Sequence, residues 1–143
     1  MRKIALLLAA IAAFSTPARA ETNLKLYGAQ LDYDPNGNVW HVASKVCNKD
    51  QVPSGSMLYE LRLYQGDVTP GAQHLTIGGF KYSNPLQAGK CRDSKDVSVK
   101  VRTKTVAPGE YKVVLWVGDY DGSRFIGHIY YTFDHTFIRS NGP

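Results

Sequence analysis

The chain has 143 residues, of which 43% are hydrophobic and 20% charged, a balance that excludes a disordered or fibrous protein and suits one globular unit. Its formal net charge is +5, but Arg2, Lys3 and Arg19 lie within the first twenty residues, and without them fourteen basic residues face twelve acidic ones. Composition therefore makes no case for a nucleic-acid ligand.

Residues 1–20 read as a secretory leader. Arg2 and Lys3 give a positive start, and the apolar run 4–14 is too short to span a bilayer. Ala18-Arg19-Ala20 then supplies a small-x-small cleavage site. An uncleaved N-terminal anchor is the competing reading, and the length of the apolar run argues against it. No cysteine follows that run to accept a lipid. The expectation is an exported chain, periplasmic or secreted, in which residues 21–143 form one domain without a membrane span.

Beyond residue 20, no segment keeps a 3.6-residue apolar period over three turns. Runs rich in Val, Tyr, Leu and Thr alternate instead with clusters of Gly, Pro, Asn and Asp, the pattern of an all-β domain. Strands are predicted at 24–31, 39–47, 58–64, 97–105, 111–118 and 125–133, with a shorter one at 74–81 inside the less regular stretch 66–95. Turns are signalled by Asp34-Pro35-Asn36-Gly37, Pro53-Ser54-Gly55, Pro70-Gly71, Pro108-Gly109 and Asp121-Gly122.

Cys47 and Cys91 are the only cysteines. An even pair in a small exported domain reads as one disulfide, which would stabilise the fold by about 4 kcal/mol in the chain-entropy model. A pair of metal thiolates is the alternative, but no CxxC spacing or nearby histidine supports it.

About seven strands at this spacing predict a two-sheet antiparallel sandwich. Ala107-Pro108-Gly109-Glu110-Tyr111, running into Val113, Leu115 and Val117, resembles the corner and following strand of immunoglobulin-like and fibronectin III-like modules. Val46-Cys47-Asn48 at the end of the second predicted strand extends the resemblance to adhesion-related bacterial Ig-like domains of the CARDB type. The likeness covers most of residues 24–133. It implies an Ig-like sandwich, a structural corner at Pro108, Gly109 and Tyr111, and a binding role, and it carries over no catalytic residues. In such a sandwich the second and fifth predicted strands are antiparallel neighbours, which agrees with a Cys47-Cys91 bridge.

Candidate chemistry is sparse. None of His41, His74, His128 and His135 lies in a recognisable catalytic motif. The reading is therefore of a non-enzymatic protein without cofactor or metal. Asp32, Asp34, Asn36 and Gly37 match the opening of a calcium loop, but Ala43 stands where the bidentate Glu should be, and an ordinary Pro-Asn-Gly turn explains the same residues. Lys100, Arg102 and Lys104 alternate along the fifth predicted strand, near Lys45 and Lys25. They form either a stripe for an anionic partner or, on the favoured reading, a solvated face that discourages edge pairing.

Strand parity singles out one face. Lys112, Val114 and Trp116 should oppose the core-facing set Tyr111, Val113, Leu115 and Val117. With Glu60, Arg62 and Tyr64, and with Ile126, His128 and Tyr130, they converge on the outer side of the sheet that the Ig-like resemblance implies for the predicted strands 58–64, 111–118 and 125–133. Trp40 should face the core, as should Phe125, Ile129, Tyr131 and Phe133. Trp116, Tyr130, Tyr64, Arg62 and His128 are thus the candidate partner-binding residues, their aromatic and arginine content being that of an interface centre. The expected partner is a protein or glycan at the cell envelope. Three other readings stand beside it. Part of residues 66–95, such as Leu75-Thr76-Ile77 and Phe80, could fold across the face; the sheet could form a homodimer; or the chain could be a small periplasmic enzyme inhibitor or immunity-type protein acting through the loop tip 119–124.

Overall fold

The computed structural model describes residues 22–34 and 37–141; the predicted leader lies outside them. Seven strands follow one another: β1 (Leu24–Asp32), β2 (Val39–Asn48), β3 (Ser56–Tyr64), β4 (Leu75–Tyr82), β5 (Cys91–Lys100), β6 (Gly109–Tyr120) and β7 (Phe125–Arg139). They form two antiparallel sheets, ordered β1-β2-β5 and β4-β3-β6-β7, an immunoglobulin-like sandwich. Among the described residues no helix is long and apolar enough to cross a membrane.

Period-two alternation places the core between the sheets. Trp40, Val42 and Val46 of β2 face Tyr59, Leu61 and Leu63 of β3 and Val113, Leu115 and Val117 of β6, all buried. Trp40 is fully enclosed, with ring centroids 4.5 Å from Tyr33 and 5.7 Å from Phe137. Cys47 and Cys91 are register partners on β2 and β5 and are joined in a disulfide. The corner before β6 is closed by the Tyr111 hydroxyl, which donates to the Ala107 carbonyl at 2.8 Å.

The fifth and seventh strands depart furthest from expectation. The fifth strand starts at Cys91 and ends at Lys100 rather than spanning 97–105. Beyond Lys100 the chain turns towards the other sheet, and the Arg102 amide donates to the Ile77 carbonyl at 2.8 Å. The burial alternation nevertheless continues through buried Val101 and Thr103, which is why the sequence pattern mimics a longer strand. The seventh strand runs to Arg139, not 133, and contributes fully buried Phe137 to the core. Within residues 66–95, β4 does not cross the four-stranded sheet but extends it as an edge strand beside β3, whereas the loop before β4 reaches the outer face, where the Val68 carbonyl lies 3.5 Å from the Tyr130 hydroxyl. Ile77 is buried in the core, and Phe80 stacks on core-facing Tyr59 at 4.5 Å.

Register shifts interrupt four of the five pairings, β1-β2, β2-β5, β3-β4 and β6-β7. On β1, Gly28 and Ala29 are inserted between Tyr27 and Gln30, opposite a single residue of β2, and Gly28 adopts φ +57°. This bulge switches parity, so that Leu24 and Leu31 both reach the core. On β5, Lys95 and Asp96 lie opposite Ala43 alone, with Asp96 at φ +46°, a region where Asp is among the better-tolerated non-Gly residues. On β7, residues 133–135 oppose only Val113.

Candidate functional site

The register lays out the outer face of the four-stranded sheet in rows. Glu60, Trp116 and Tyr130 are neighbours across β3, β6 and β7; Arg62, Val114 and Thr132 form the next row, and Tyr64, Lys112 and Thr136 the one after. The five predicted partner-binding residues are therefore on one face. Their exposure, however, divides them.

Trp116 is only 8% exposed, contrary to the expectation that it meets water. Among the described residues, the groups packed on it belong to its own sheet. The indole lies over Gly118, where a Cβ would come within 2.2 Å of the ring. The Arg62 guanidinium sits 3.9 Å from the ring centroid, in cation-π geometry. Phe125 meets the indole edge-on at 5.1 Å, and the His128 imidazole lies nearly parallel at 5.9 Å. Arg62 is itself held by Glu60, whose Oε2 accepts from Nε and lies 2.6 Å from Nη2. Glu60, Arg62, Trp116 and His128 thus form one continuous stack, assembled from three strands.

Tyr64, Val114 and Ile126, also expected to be open, are buried. The Tyr64 ring lies 5.3 Å from that of His74, just before β4. Phe125 was expected to point inward, yet it is 45% exposed on the outer face. A register shift between the Asp119 and Tyr120 pairs leaves Ile126 as the extra residue and turns Phe125 outward beside Tyr120. Tyr130 remains 41% exposed, its hydroxyl 3.5 Å from the Val68 carbonyl, and His128 is exposed. The open part of the face is therefore Tyr130, Phe125 and His128 around a closed Arg62-Trp116 centre.

The loop tip between β6 and β7 is tightly organised. The Asp121 carboxylate accepts from the Arg124 and Ser123 amides and from the Ser123 hydroxyl, at 2.9, 2.8 and 3.0 Å. These bonds, led by that from the Arg124 amide, hold the Asp121 carboxyl below the usual carboxylate range. Just before the tip, Asp119 is fully buried; its carboxylate accepts from the Gly55 amide at 2.7 Å and from the Thr22 hydroxyl, fastening the start of β1 and the β2-β3 loop to this end.

The other sequence candidates disperse. Lys100 lies opposite Val39, whereas Lys45 lies opposite Asp93 and Lys25 opposite Cys47, so these cations form no single stripe. Lys100, Arg102 and Lys104 are exposed, but only Lys100 belongs to a strand. The proposed calcium loop falls partly on residues 35 and 36, outside the described residues. Among the described residues no group of three or more His, Cys, Asp or Glu side chains is arranged to hold a metal. His128 and His74 lie on the outer face of the four-stranded sheet or at its margin, while His41 and His135 line a different region.

That region is a groove of 530 Å³ along the seam between β1 and β7, which sequence reasoning missed. Asp32, His41, Asp96, Asp134 and His135 line it with Tyr131 and Phe133. His41 Nδ1 is 3.0 Å from the Asp96 carboxylate and 3.3 Å from the Ser98 hydroxyl. Both contacts use the same ring nitrogen, whereas a Ser-His-Asp relay needs one on each. The available signals were a Gly inside the first strand and the polar break at 93–96, each consistent with a bulge.

No protein-family model matches the chain, and no curated protein does. One solved structure aligns with it, DesR, a β-glucosidase from Streptomyces venezuelae in complex with D-glucose, at 19% identity and a TM-score of 0.42, over 78% of this chain and 15% of that one. Seven antiparallel strands in two sheets, with the tyrosine-closed corner and the disulfide, establish the fold as an immunoglobulin-like β-sandwich.

Proposed function

We propose that this protein is an exported, non-catalytic binding module that engages a protein ligand at the cell envelope through the outer face of β3, β6 and β7. The observation that carries the reading is the Arg62-Trp116 stack. A guanidinium fixed by Glu60 and an enclosed indole make a rigid base beside exposed Tyr130 and Phe125. Rigid aromatic anchors surrounded by polar groups give an interface its energy at little ordering cost. The same geometry favours a protein over a glycan. A sugar ring would need an open aromatic plane, and the Trp116 plane already carries Arg62, leaving Tyr130 and Phe125 for stacking. Export rests on the leader pattern in residues 1–20.

The test is capture from envelope extract by immobilised protein, comparing wild type with Tyr130→Ser, Phe125→Ser and, as a distant control, Lys104→Gln. A ligand lost with the first two and kept with the third is expected. Equal capture by all four would contradict the reading. The alternative, an enzyme inhibitor acting through the loop tip, draws support from the pre-ordered Asp121-Arg124 turn; there Arg124→Ala, and not Tyr130→Ser, should abolish binding. Sedimentation of wild type against Tyr130→Arg tests the homodimer through the same sheet.

A further inference from the structure

We propose that the groove along the β1-β7 seam is a second docking site, which takes an extended segment of a partner protein carrying lysine or arginine. The inference concerns a surface separate from the outer sheet face and does not depend on it.

The backbone supplies the first reason. Among the described residues β1 pairs only with β2 and β7 only with β6, so the seam is flanked by two strand edges. Among the described residues, the outer edge of β7 is tied only near its ends, by the Thr22 amide at the Ile126 carbonyl and by the Tyr33 hydroxyl at the Thr136 carbonyl. Between those ties no main-chain hydrogen bond among the described residues joins β7 to β1, which runs beside it, and an unpaired strand edge is where sheets recruit extended peptides.

Shape supplies the second. The bulges of β1, β5 and β7 fall at one level of the sandwich: Ala43 is the register partner of Gln30 beside the first and lies opposite the second. The small side chains of Ala29 and Ala43 line the space that results. Bulges re-aim side chains, and here the residues they carry, Asp96 on β5 and Asp134 and His135 on β7, line the groove.

Chemistry selects the occupant. Leu31 and Phe133 are buried residues of the groove wall, and Tyr131 is 40% exposed in it. Asp32, Asp96 and Asp134 supply three carboxylates. Of these, Asp96 is engaged with His41, while neither Asp32 nor Asp134 makes an ion pair among the described residues. An apolar wall with an acidic rim matches a long cationic side chain, whose methylene stem lies on the hydrocarbon while its head meets carboxylates and an aromatic ring.

The experiment is amide-resolved NMR titration of the purified protein with a short blocked peptide alternating valine and arginine. Three probes serve as controls: the same peptide with glutamine for arginine, the arginine peptide with prolines for valines, and arginine amide alone. The expected result is shifts confined to the groove, Tyr131, Asp134, His41 and Asp96 among them. Affinity should fall roughly tenfold or more in Asp32→Asn with Asp134→Asn and be unchanged in Tyr130→Ser. These aspartates are exposed, and the circular dichroism of the double variant confirms that it is folded. Equal binding of the glutamine peptide, the proline peptide or arginine amide would overturn the proposal, respectively removing the charge, the strand edge or the polypeptide from it. Shifts elsewhere, or none at millimolar peptide, would overturn it outright.

Discussion

The surroundings of the two tryptophans show two ways of removing an indole from water. Trp40 is enclosed by two sheets and disappears into the core among Tyr33 and Phe137. Trp116 stands on an outer face and is enclosed by side chains of its own sheet, with Gly118 below, Arg62 above, and Phe125 and His128 at its margins. The first kind of burial depends on hydrophobic packing throughout the fold. The second depends on a few named contacts, so a single substitution is expected to open it while the fold survives.

Substitutions can separate the two regions. Phe137→Ala removes a fully buried ring next to Trp40 and should cost about 3–5 kcal/mol, read as a lowered denaturant midpoint with the slope preserved. Replacing Cys47 and Cys91 together by alanine frees a loop closed across 44 residues and should cost about 2–4 kcal/mol; reducing agent should bring wild type to the same midpoint. Smaller losses are expected on the outer face. Gly118→Ala drives a methyl into the Trp116 and Phe125 rings and should cost about 1–3 kcal/mol. Arg62→Ala removes the cation from the indole and should cost about 1–2 kcal/mol. If either outer-face change matched Phe137→Ala, the distinction between core and cover would fail.

The pH dependence separates the interior from the loop tip in the same manner. Burial pushes the Tyr59 phenol up to about 12. The neutral phenol is therefore favoured in the folded state. Its contribution to stability is complete below the unfolded value near 10, declines through the interval up to about 12 and should be absent in Tyr59→Phe, as alkaline unfolding curves would show. Asp121 has the opposite sign. Its depressed pKa contributes stability above the ordinary carboxylate value that is lost as pH falls through the folded one, the smallest effect predicted here. Carbon-detected NMR of its carboxyl should show the depressed titration in wild type and a return towards normal in Ser123→Ala.

Most of the fold was legible because alternation, turn residues and the Pro108-Gly109 corner all point to the same architecture. The errors have specific physical sources. Cys91 to Asp96 is polar and lacks alternation, so the true start of β5 was silent, while buried Val101 and Thr103 carried the pattern past its end. Phe125 was assigned to the core because parity counting assumes an unbroken register, and the shift before Tyr120 reverses it. The convergence of Arg62, Trp116, His128 and Tyr130 on one face could be read from strand neighbours. The closure of Trp116 could not, because it depends on the direction in which the indole folds and on the missing Cβ of Gly118. The seam groove was invisible for a related reason: its residues come from β1, β2, β5 and β7 and are brought together by three bulges, none of which leaves more than a Gly or a polar break in the sequence.

The most direct test is iodide quenching of Trp116 in a Trp40→Phe background, with and without Arg62→Ala. Blue-shifted, poorly quenched emission that becomes red-shifted and quenchable when Arg62 is removed is the predicted result. Emission already quenchable with Arg62 present would contradict the account, as would emission equally protected in its absence.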